Sequence, residues 1–476
     1  MRILPAAAVL IAAGCASAPG VQRPGMEVTP PAAWSAGPAG PAAPFSGAAW
    51  WRPLADARAA ALVDLGLEHN YDLAAAAARV EGAMAQARVA GAPRWPQVQA
   101  GADVARSKRN FVGFPIGGGA GGVPSSTTSA YGASLSSTWE ADLWGRLRDG
   151  QQAALAEAGA AAADLEGARL SLTAQILRTY FGAVEAGRQL ALADSAVAAY
   201  RLSEQQIGER YARGLRPALD LRLARANRAA AESVRAARAR ALDAVRRQLE
   251  LLVGRYPAGA VEVGAELPEA LAPVPVGMPA ELVARRPDLA AAERRLAAAG
   301  ARVGEARKAL YPRLSLTASG GRSSDELSSL LDGDYSVWNL VANLSVPLFQ
   351  GGRLRAAADL AASGRDAALA QYAGRVLVAF GEVERSLVAE QLLAEQQAAA
   401  AEATTEAVAA RELAQERYNA GLADLIALLE AQRRAYEAES QLLAVRRQRL
   451  EARIDLNVAL GGDFGQPDAA PGTPPN

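Results

Sequence analysis

Four stretches of the chain alternate apolar and polar residues with a period of two. Val98, Ala100, Ala102 and Val104 leave an extended backbone on one side, Gln97, Gln99, Gly101 and Asp103 on the other. Tyr131, Ala133, Leu135 and Trp139 alternate with Gly132, Ser134, Ser136 and Thr138, and Leu314, Leu316 and Ala318 with Arg313, Ser315, Thr317 and Ser319. Trp338, Leu340, Ala342, Leu344 and Val346 oppose Asn339, Asn343 and Ser345. The pattern predicts strands over residues 96–106, 130–140, 312–320 and 337–349. Segments of about ten residues with one apolar face suit a membrane-spanning β-barrel, and Trp139 and Trp338 near their ends suit an interfacial girdle. A soluble sheet with helices over its apolar face shows the same alternation. Known membrane barrels have about eight strands or more, and lipid tolerates no open sheet edge. A spanning chain must therefore assemble with copies of itself, and closure alone allows two, three or more.

Elsewhere the period is helical. Leu165, Leu172, Ile176, Tyr180 and Val184 share a face of a proline-free run from Arg146 to Tyr211. As one helix this run extends about 100 Å, far more than a globular core spans. Gly214 fits a left-handed helix terminus and Pro217 the first turn of a returning helix that ends near Val253. The returning helix covers only about 55 Å, and the helix predicted over 72–91 adds about 30 Å. Stacked end to end, the two nearly match the long helix, as a pseudo-continuous antiparallel coiled pair. His69 and Asn70 are expected at the start of this short helix.

The whole arrangement occurs twice. Gly145-Arg146-Leu147-Arg148 recurs as Gly352-Arg353-Leu354-Arg355, 207 residues on. Glu209-Arg210-Tyr211 with Gly214-Leu215 recurs at the same offset as Glu416-Arg417-Tyr418 with Gly421-Leu422, and Gly254 as Gly461. Asp72-Leu73 and Pro96 match Asp288-Leu289 and Pro312 at 216. The nine-residue difference lies in the first copy's Gly-rich loop, residues 111–129, against the shorter 322–335. Each unit reads short helix, strand, strand, long helix, turn, helix. In the second copy Gly421 closes the long helix and Asp424 caps the next. The repeats span 47–254 and 288–462, with a linker over 255–287 and a tail over 463–476.

Composition narrows the chemistry. Hydrophobic residues are 51% but aromatics 5%, so small side chains suited to close helix packing dominate. Lys+Arg 50 balance Asp+Glu 50, which removes the field of a nucleic-acid binder. One His and one Cys exclude a Cys/His metal cluster or a disulfide framework within the chain. The carboxylates intermingle with arginines along helices, as on solvated faces, and no nucleophile, base and orienter constellation stands out; no enzyme activity, catalytic residue or metal site is expected. Residues 117–122 lack the Lys-Ser/Thr of a phosphate loop. Residues 1–14 read as a signal peptide, and Ile11-Ala12-Ala13-Gly14-Cys15 resembles a lipobox, which would place diacylglycerol and an N-acyl chain on Cys15. Residues 16–46, rich in Ala, Pro and Gly, read as a tether behind that lipidated terminus. After the signal no run of about eighteen apolar residues offers a helical membrane span.

Several longer motifs carry a resemblance. They are Trp139-Glu140-Ala141-Asp142-Leu143-Trp144-Gly145-Arg146, Arg285-Arg286-Pro287-Asp288-Leu289 with Ala292-Glu293, Tyr311-Pro312, Val346-Pro347-Leu348-Phe349 and Leu428-Leu429-Glu430-Ala431-Gln432. With the layout above, the chain resembles the TolC/OprM-type outer-membrane factors over residues 50–462, in their lipoprotein, RND-type/NodT-like branch. The resemblance implies a homotrimer whose four strands per chain build one twelve-stranded transmembrane β-barrel, continued by an all-α tunnel, a coiled-coil barrel of long antiparallel helices in the periplasm. It implies the exit duct of a tripartite efflux or type I secretion system in the outer membrane, with a periplasmic membrane-fusion adaptor and an inner-membrane transporter as partners. It assigns the turns Tyr211, Gly214, Leu215 and Tyr418, Gly421, Leu422 to adaptor-docking tips. It also places a gate at Ile426 and Glu430, whose spacing of four puts both on one helix face. Glu430 stands where aspartate is usual and Ala427 where some members carry a second acid. The alternative from another class is a lipid-anchored periplasmic coiled-coil scaffold with a soluble sheet head.

Overall fold

The computed structural model describes residues 31, 33–36, 50–112, 123–268 and 279–462. Cys15, the signal peptide, most of residues 16–46, the glycines of 117–122 and the tail beyond 462 lie outside the described residues. Among the described residues eight α-helices and four strands follow in the order α1 (Ala57–His69), α2 (Tyr71–Gly91), β1 (Gln97–Asn110), β2 (Ser125–Ala141), α3 (Arg146–Ala212), α4 (Ala218–Leu252), α5 (Pro279–Arg285), α6 (Pro287–Lys308), β3 (Arg313–Ser324), β4 (Ser336–Ser345), α7 (Arg353–Asn419) and α8 (Leu425–Ala459). The bounds of α3 and α4 recur in α7 and α8 at the offset of 207. Two compact units result, one holding the sheet with the helix ends beside it, the other holding most of the helices.

The sheet is antiparallel in the order β1-β2-β3-β4. Its pairing stacks the alternating residues into rows across three or all four strands. One face carries Ala141/Leu314/Leu344, then Trp139/Leu316/Ala342, Val98/Ser137/Ala318/Leu340, Ala100/Leu135/Gly320/Trp338, Ala102/Ala133/Arg322/Ser336 and Val104/Tyr131/Ser324. The other face is dominated by Gln, Ser, Thr and Asn. On the apolar face Val98, Val104, Leu135, Trp338, Leu340 and Leu344 are all exposed, Trp338 by 83%. The cover a soluble sheet would require is therefore missing at these positions. β1 and β4 each pair on one side only. Gly321 permits a close approach of β3 to β2: a Cβ there would run into the Ala133 carbonyl oxygen and stand 2.8 Å from the Ser134 Cα. At the strand ends that lead into helices, the Trp139 indole donates to the Arg94 carbonyl (2.9 Å) and the Trp144 indole to that of Pro312 (2.8 Å).

Three strands outrun their expected bounds and one falls short. β1, β2 and β3 continue through the polar residues 107–110, 125–129 and 321–324, because ladder hydrogen bonds rather than side-chain hydropathy set where a strand ends. β4 stops at Ser345, since Pro347 has no N–H to donate.

In the helical unit the core surrounds α1, which the periodic reading passed over. Ala59, Leu62, Val63 and Gly66 form its buried stripe against Ile176, Leu177, Tyr180 and Leu252. The Asp56 carboxylate caps it, accepting from the Ala59 N–H (2.8 Å) and from the Tyr180 hydroxyl (2.5 Å). Each repeat thus opens with two helices rather than one. His69 ends α1 instead of starting the next helix, with its ring exposed beside Glu68. Pro217 is the residue before α4 and not part of its first turn.

The expected stacking occurs at both joints between the paired helices. Asn70 accepts from the Asp72 and Leu73 N–H groups at the start of α2 while its amide donates to the Leu252 carbonyl at the end of α4 (2.9 Å). In the second repeat Arg286 stands at the joint and donates to the Ala459 carbonyl at the end of α8 (3.0 Å). Near the end of α4 the buried Glu250 carboxylate accepts from N–H groups beyond the helix, those of Gly259 (2.6 Å), Ala260 (2.7 Å) and Val261 (3.0 Å). Burial works to raise its pKa, but these three donors and Arg247 outweigh it and hold Glu250 below its ordinary value.

Of the tether, Trp34 is buried edge-on against Phe380 of α7, and Glu384, one turn on, accepts from the Ser35 (2.7 Å) and Ala36 (3.0 Å) N–H groups. These residues are clipped to α7 and are not free spacer. Glu384→Ala removes two charge-assisted bonds, about 1.5–3 kcal/mol of local stability, so chymotryptic cleavage at Trp34 is expected to accelerate about tenfold or more. An unchanged cleavage rate would remove the clip.

Candidate functional site

The two helical hairpins turn in the same way. Leu215 N–H bonds to the Arg210 carbonyl (2.9 Å) and Gly214 N–H to that of Tyr211 (2.8 Å); Leu422 and Gly421 repeat this with Arg417 (2.8 Å) and Tyr418 (3.1 Å). This is the Schellman pairing, with glycine in the left-handed position at φ +75° in both turns. The motif's usual apolar contact is lacking, because its partner position holds Arg210 or Arg417. Leu215 and Leu422 consequently project into solvent, exposed by 67% and 71%.

The tyrosines of the matched motifs part company. Tyr211 is exposed, but Tyr418 is buried among Ile207, Ala224, Leu425 and Leu428. The Arg210 and Arg216 guanidinium groups lie over the Tyr418 ring at 5.5 and 5.2 Å, so the first hairpin's cations cover the second hairpin's aromatic. The Tyr418 ring thus packs the two hairpins together and is not exposed at the turn. Tyr211, Leu215 and Leu422 remain presented, with Gly214 and Gly421 shaping their turns.

Asp424 caps α8 by accepting from the Ala427 N–H (2.7 Å). Within the first turn of α8 Ile426 is exposed, and Glu430 follows one turn on, on the same face. The Glu430 carboxylate is not bare. It accepts from Arg433 through Nε (3.1 Å) and Nη2 (2.8 Å) and from Arg434 Nε (2.7 Å), and Arg433 also bonds Glu437 (2.6 Å). The hydrogen bonds from Arg433 and then Arg434 pull the Glu430 pKa down to about 2. The acid singled out by resemblance is thus one member of an exposed ladder of two acids and two arginines. The arginines were missed as members of the site, although their i+3 and i+4 spacing from Glu430 is a readable signal.

Among the described residues no group of three or more His, Cys, Asp or Glu side chains is placed to hold a metal ion, and no helix is long and apolar enough to cross a membrane. Comparison with known proteins gives the geometry a context. The family model described as "Outer membrane efflux protein" matches residues 62–255 and 278–462. The chain is 33% identical over 461 residues to the pyoverdine export outer membrane protein OpmQ of Pseudomonas putida, covering 93% of each chain. It is 34% identical over 464 residues to the outer membrane protein OprJ of Pseudomonas aeruginosa, covering 95% of this chain and 94% of that one. The solved outer-membrane channel OprN superposes with a TM-score of 0.85 at 28% identity, over 94% of this chain and 99% of the other.

Proposed function

The chain belongs to the outer membrane efflux protein family, and from that premise we propose that three copies of it close one twelve-stranded duct. It is an outer-membrane channel component of an efflux system. The observation that carries the finer reading is the alignment of the apolar residues into rows on one bare face of a sheet with two unpaired edges. Tyr131 to Ala141 covers eleven residues of β2, ten steps or about 34 Å of strand, and at a tilt of about 40° the rows stand about 26 Å tall, the height of a barrel's lipid-facing band. The opposite face, with Gln99, Ser134, Ser136, Thr317, Asn339 and Asn343, lines a wet passage of hydroxyls and amides, which suits varied small cargo.

The conduit is passive. Cargo reaches it from an inner-membrane transporter through a periplasmic adaptor, which docks on the exposed turns at Tyr211, Leu215 and Leu422 and widens the ring at Ile426 and Glu430. Acylation of Cys15 in the outer membrane adds an anchor. The scaffold alternative is not favoured, because the relatives are named as outer-membrane and export proteins and the sheet's apolar face is bare. Native mass of the full chain extracted from outer membranes in mild detergent, corrected for bound detergent, tests the closure. A heat-sensitive trimer is expected. A monomer, with no larger species in crosslinked membranes, would overturn the duct and restore the scaffold.

A further inference from the structure

The apolar face changes character where its rows end. After Val104, the next residues of β1 on that face are Arg106 and Lys108, opposite Ser129 and Thr127. On β3, Arg322 occupies the row of Ala102, Ala133 and Ser336, one row inside the edge set by Val104 and Tyr131. Each row is about 6.8 Å along the strand, or about 5 Å in height at a tilt of about 40°. Arg106 and Lys108 therefore stand about 5 and 10 Å beyond the apolar band, the depth of a lipid head-group layer. Arg322 starts about 5 Å inside it, within reach of that layer for a long side chain that extends toward water.

These cations lack the acids that usually accompany exposed arginines. Arg106, Lys108 and Arg322 form no ion pair with a described residue, whereas the helix arginines Arg228, Arg433 and Arg447 each pair with an acid. The Nη1 atom of Arg322 is buried and has no hydrogen-bond partner. Asp103, the nearest acid along β1, points to the opposite face across from Gly132. The strand ends concerned are those that turn back through residues 111–124 and 325–335, away from the ends that lead into helices. In a duct whose helices lie on the periplasmic side, these ends meet the outer leaflet.

We propose that Arg106, Lys108 and Arg322 form a binding surface for the head group of a bisphosphorylated glycolipid of the outer leaflet. The two cationic points lie two strands apart, about 10 Å laterally, and two to three rows apart in height, a gap that their long side chains narrow by reaching into the same head-group layer; such a spread suits two separated phosphates on one saccharide better than the single phosphate of a zwitterionic lipid. Arginine and lysine hold phosphate through charge-assisted hydrogen bonds that are strongest where water is partly excluded, as at a band edge. Each copy in the duct would carry one such surface around the rim of the wall.

The inference rests on the reading of the apolar rows as the lipid face, so the test separates the two. Full-length protein and the triple variant Arg106→Gln/Lys108→Gln/Arg322→Gln are titrated with diphosphoryl lipid A, monophosphoryl lipid A and phosphatidylethanolamine, and bound lipid is counted by native mass spectrometry. In parallel, quenching of Trp338 by brominated lipid is taken as the difference from Trp338→Phe. The expected result is tightest retention of the diphosphoryl lipid by the native protein, a loss of at least tenfold in the triple variant, and equal Trp338 quenching in both. Conservative Arg106→Lys/Arg322→Lys retains most of the binding. Equal binding by native protein and triple variant, or no preference for the diphosphoryl lipid, with Trp338 still quenched, would overturn the head-group site alone. Unquenched Trp338 would overturn the membrane-wall reading and this inference with it.

Discussion

Arg286→Met is expected to lower the stability of the helical unit by about 2–3 kcal/mol, more than any other single change at the helix joints. The guanidinium holds three groups at once. Its Nε and Nη2 bond the two oxygens of Asp288 (2.9 Å each), and Nη1 bonds Glu382 (2.7 Å) and the Ala459 carbonyl that closes α8 (3.0 Å). Its side chain is only 10% exposed, while those of Asp288 and Glu382 are 40% and 37% exposed. Removing one member of a fully buried pair costs about 3–5 kcal/mol; water reaches these carboxylates and recovers part of that. Arg286→Lys keeps the charge but not the fork, and an intermediate loss is expected. Asn70, the counterpart in the first repeat, is neutral, and Asn70→Ala should cost about 1–2 kcal/mol through its cap and one carbonyl contact. Burial works to raise the Asp288 pKa, yet the Arg286 contacts hold it below its ordinary value. A depressed carboxylate contributes stability above its unfolded pKa of about 4 and loses it as pH falls through the lowered folded value. The gap between native protein and Arg286→Met is therefore expected to persist from neutral pH to about 4 and to close below it. Thermal unfolding followed by helical circular dichroism measures this. Equal midpoints for native protein and Arg286→Met at pH 7 would show that the joint holds nothing.

What could be read in advance follows from how far each feature depends on local spacing. The duplication and the long helices were legible because glycine turns and helical periodicity repeat at a fixed offset. The four strands were legible for as long as their side chains alternated, and their polar ends were not, because the ladder that extends them is formed by backbone groups. The helix α1 escaped although Asp56 and the stripe at Ala59, Leu62, Val63 and Gly66 signalled it; α5, at seven residues, is too short for periodicity to speak. Tyr211 and Tyr418 sit in the same motif and meet opposite fates, because only tertiary packing brings Arg210, Arg216 and Ile207 onto one of them. No local pattern distinguishes the two.

Glu430→Gln is expected to shift the ion preference of the duct several-fold toward anions and to raise the leak of large solutes. As built, Glu430, Arg433, Arg434 and Glu437 neutralise one another along two turns of α8. A carboxylate ring at the proposed gate would thus be compensated and would give only a weak cation preference. Removing Glu430 leaves two arginines facing one acid, and in the proposed trimer threefold repetition would multiply the excess around the proposed gate, where like charges repel and favour the open state. Glu430→Ala should act in the same direction, since the charge and not the amide matters. The triple change Glu430→Gln/Arg433→Gln/Arg434→Gln leaves one acid per copy and should return the preference to cations. The pH dependence follows from the pKa of about 2: the pairs persist above it and are lost only as pH falls through it, so leak should stay flat from pH 7 to about pH 4. Single-channel reversal potentials in a salt gradient, with leak of a large antibiotic in cells, measure both effects. A leak that titrates between pH 4 and 5 in the native protein would show that Glu430 is unpaired in the membrane. An unchanged reversal potential in Glu430→Gln would remove this ladder from the conducting path.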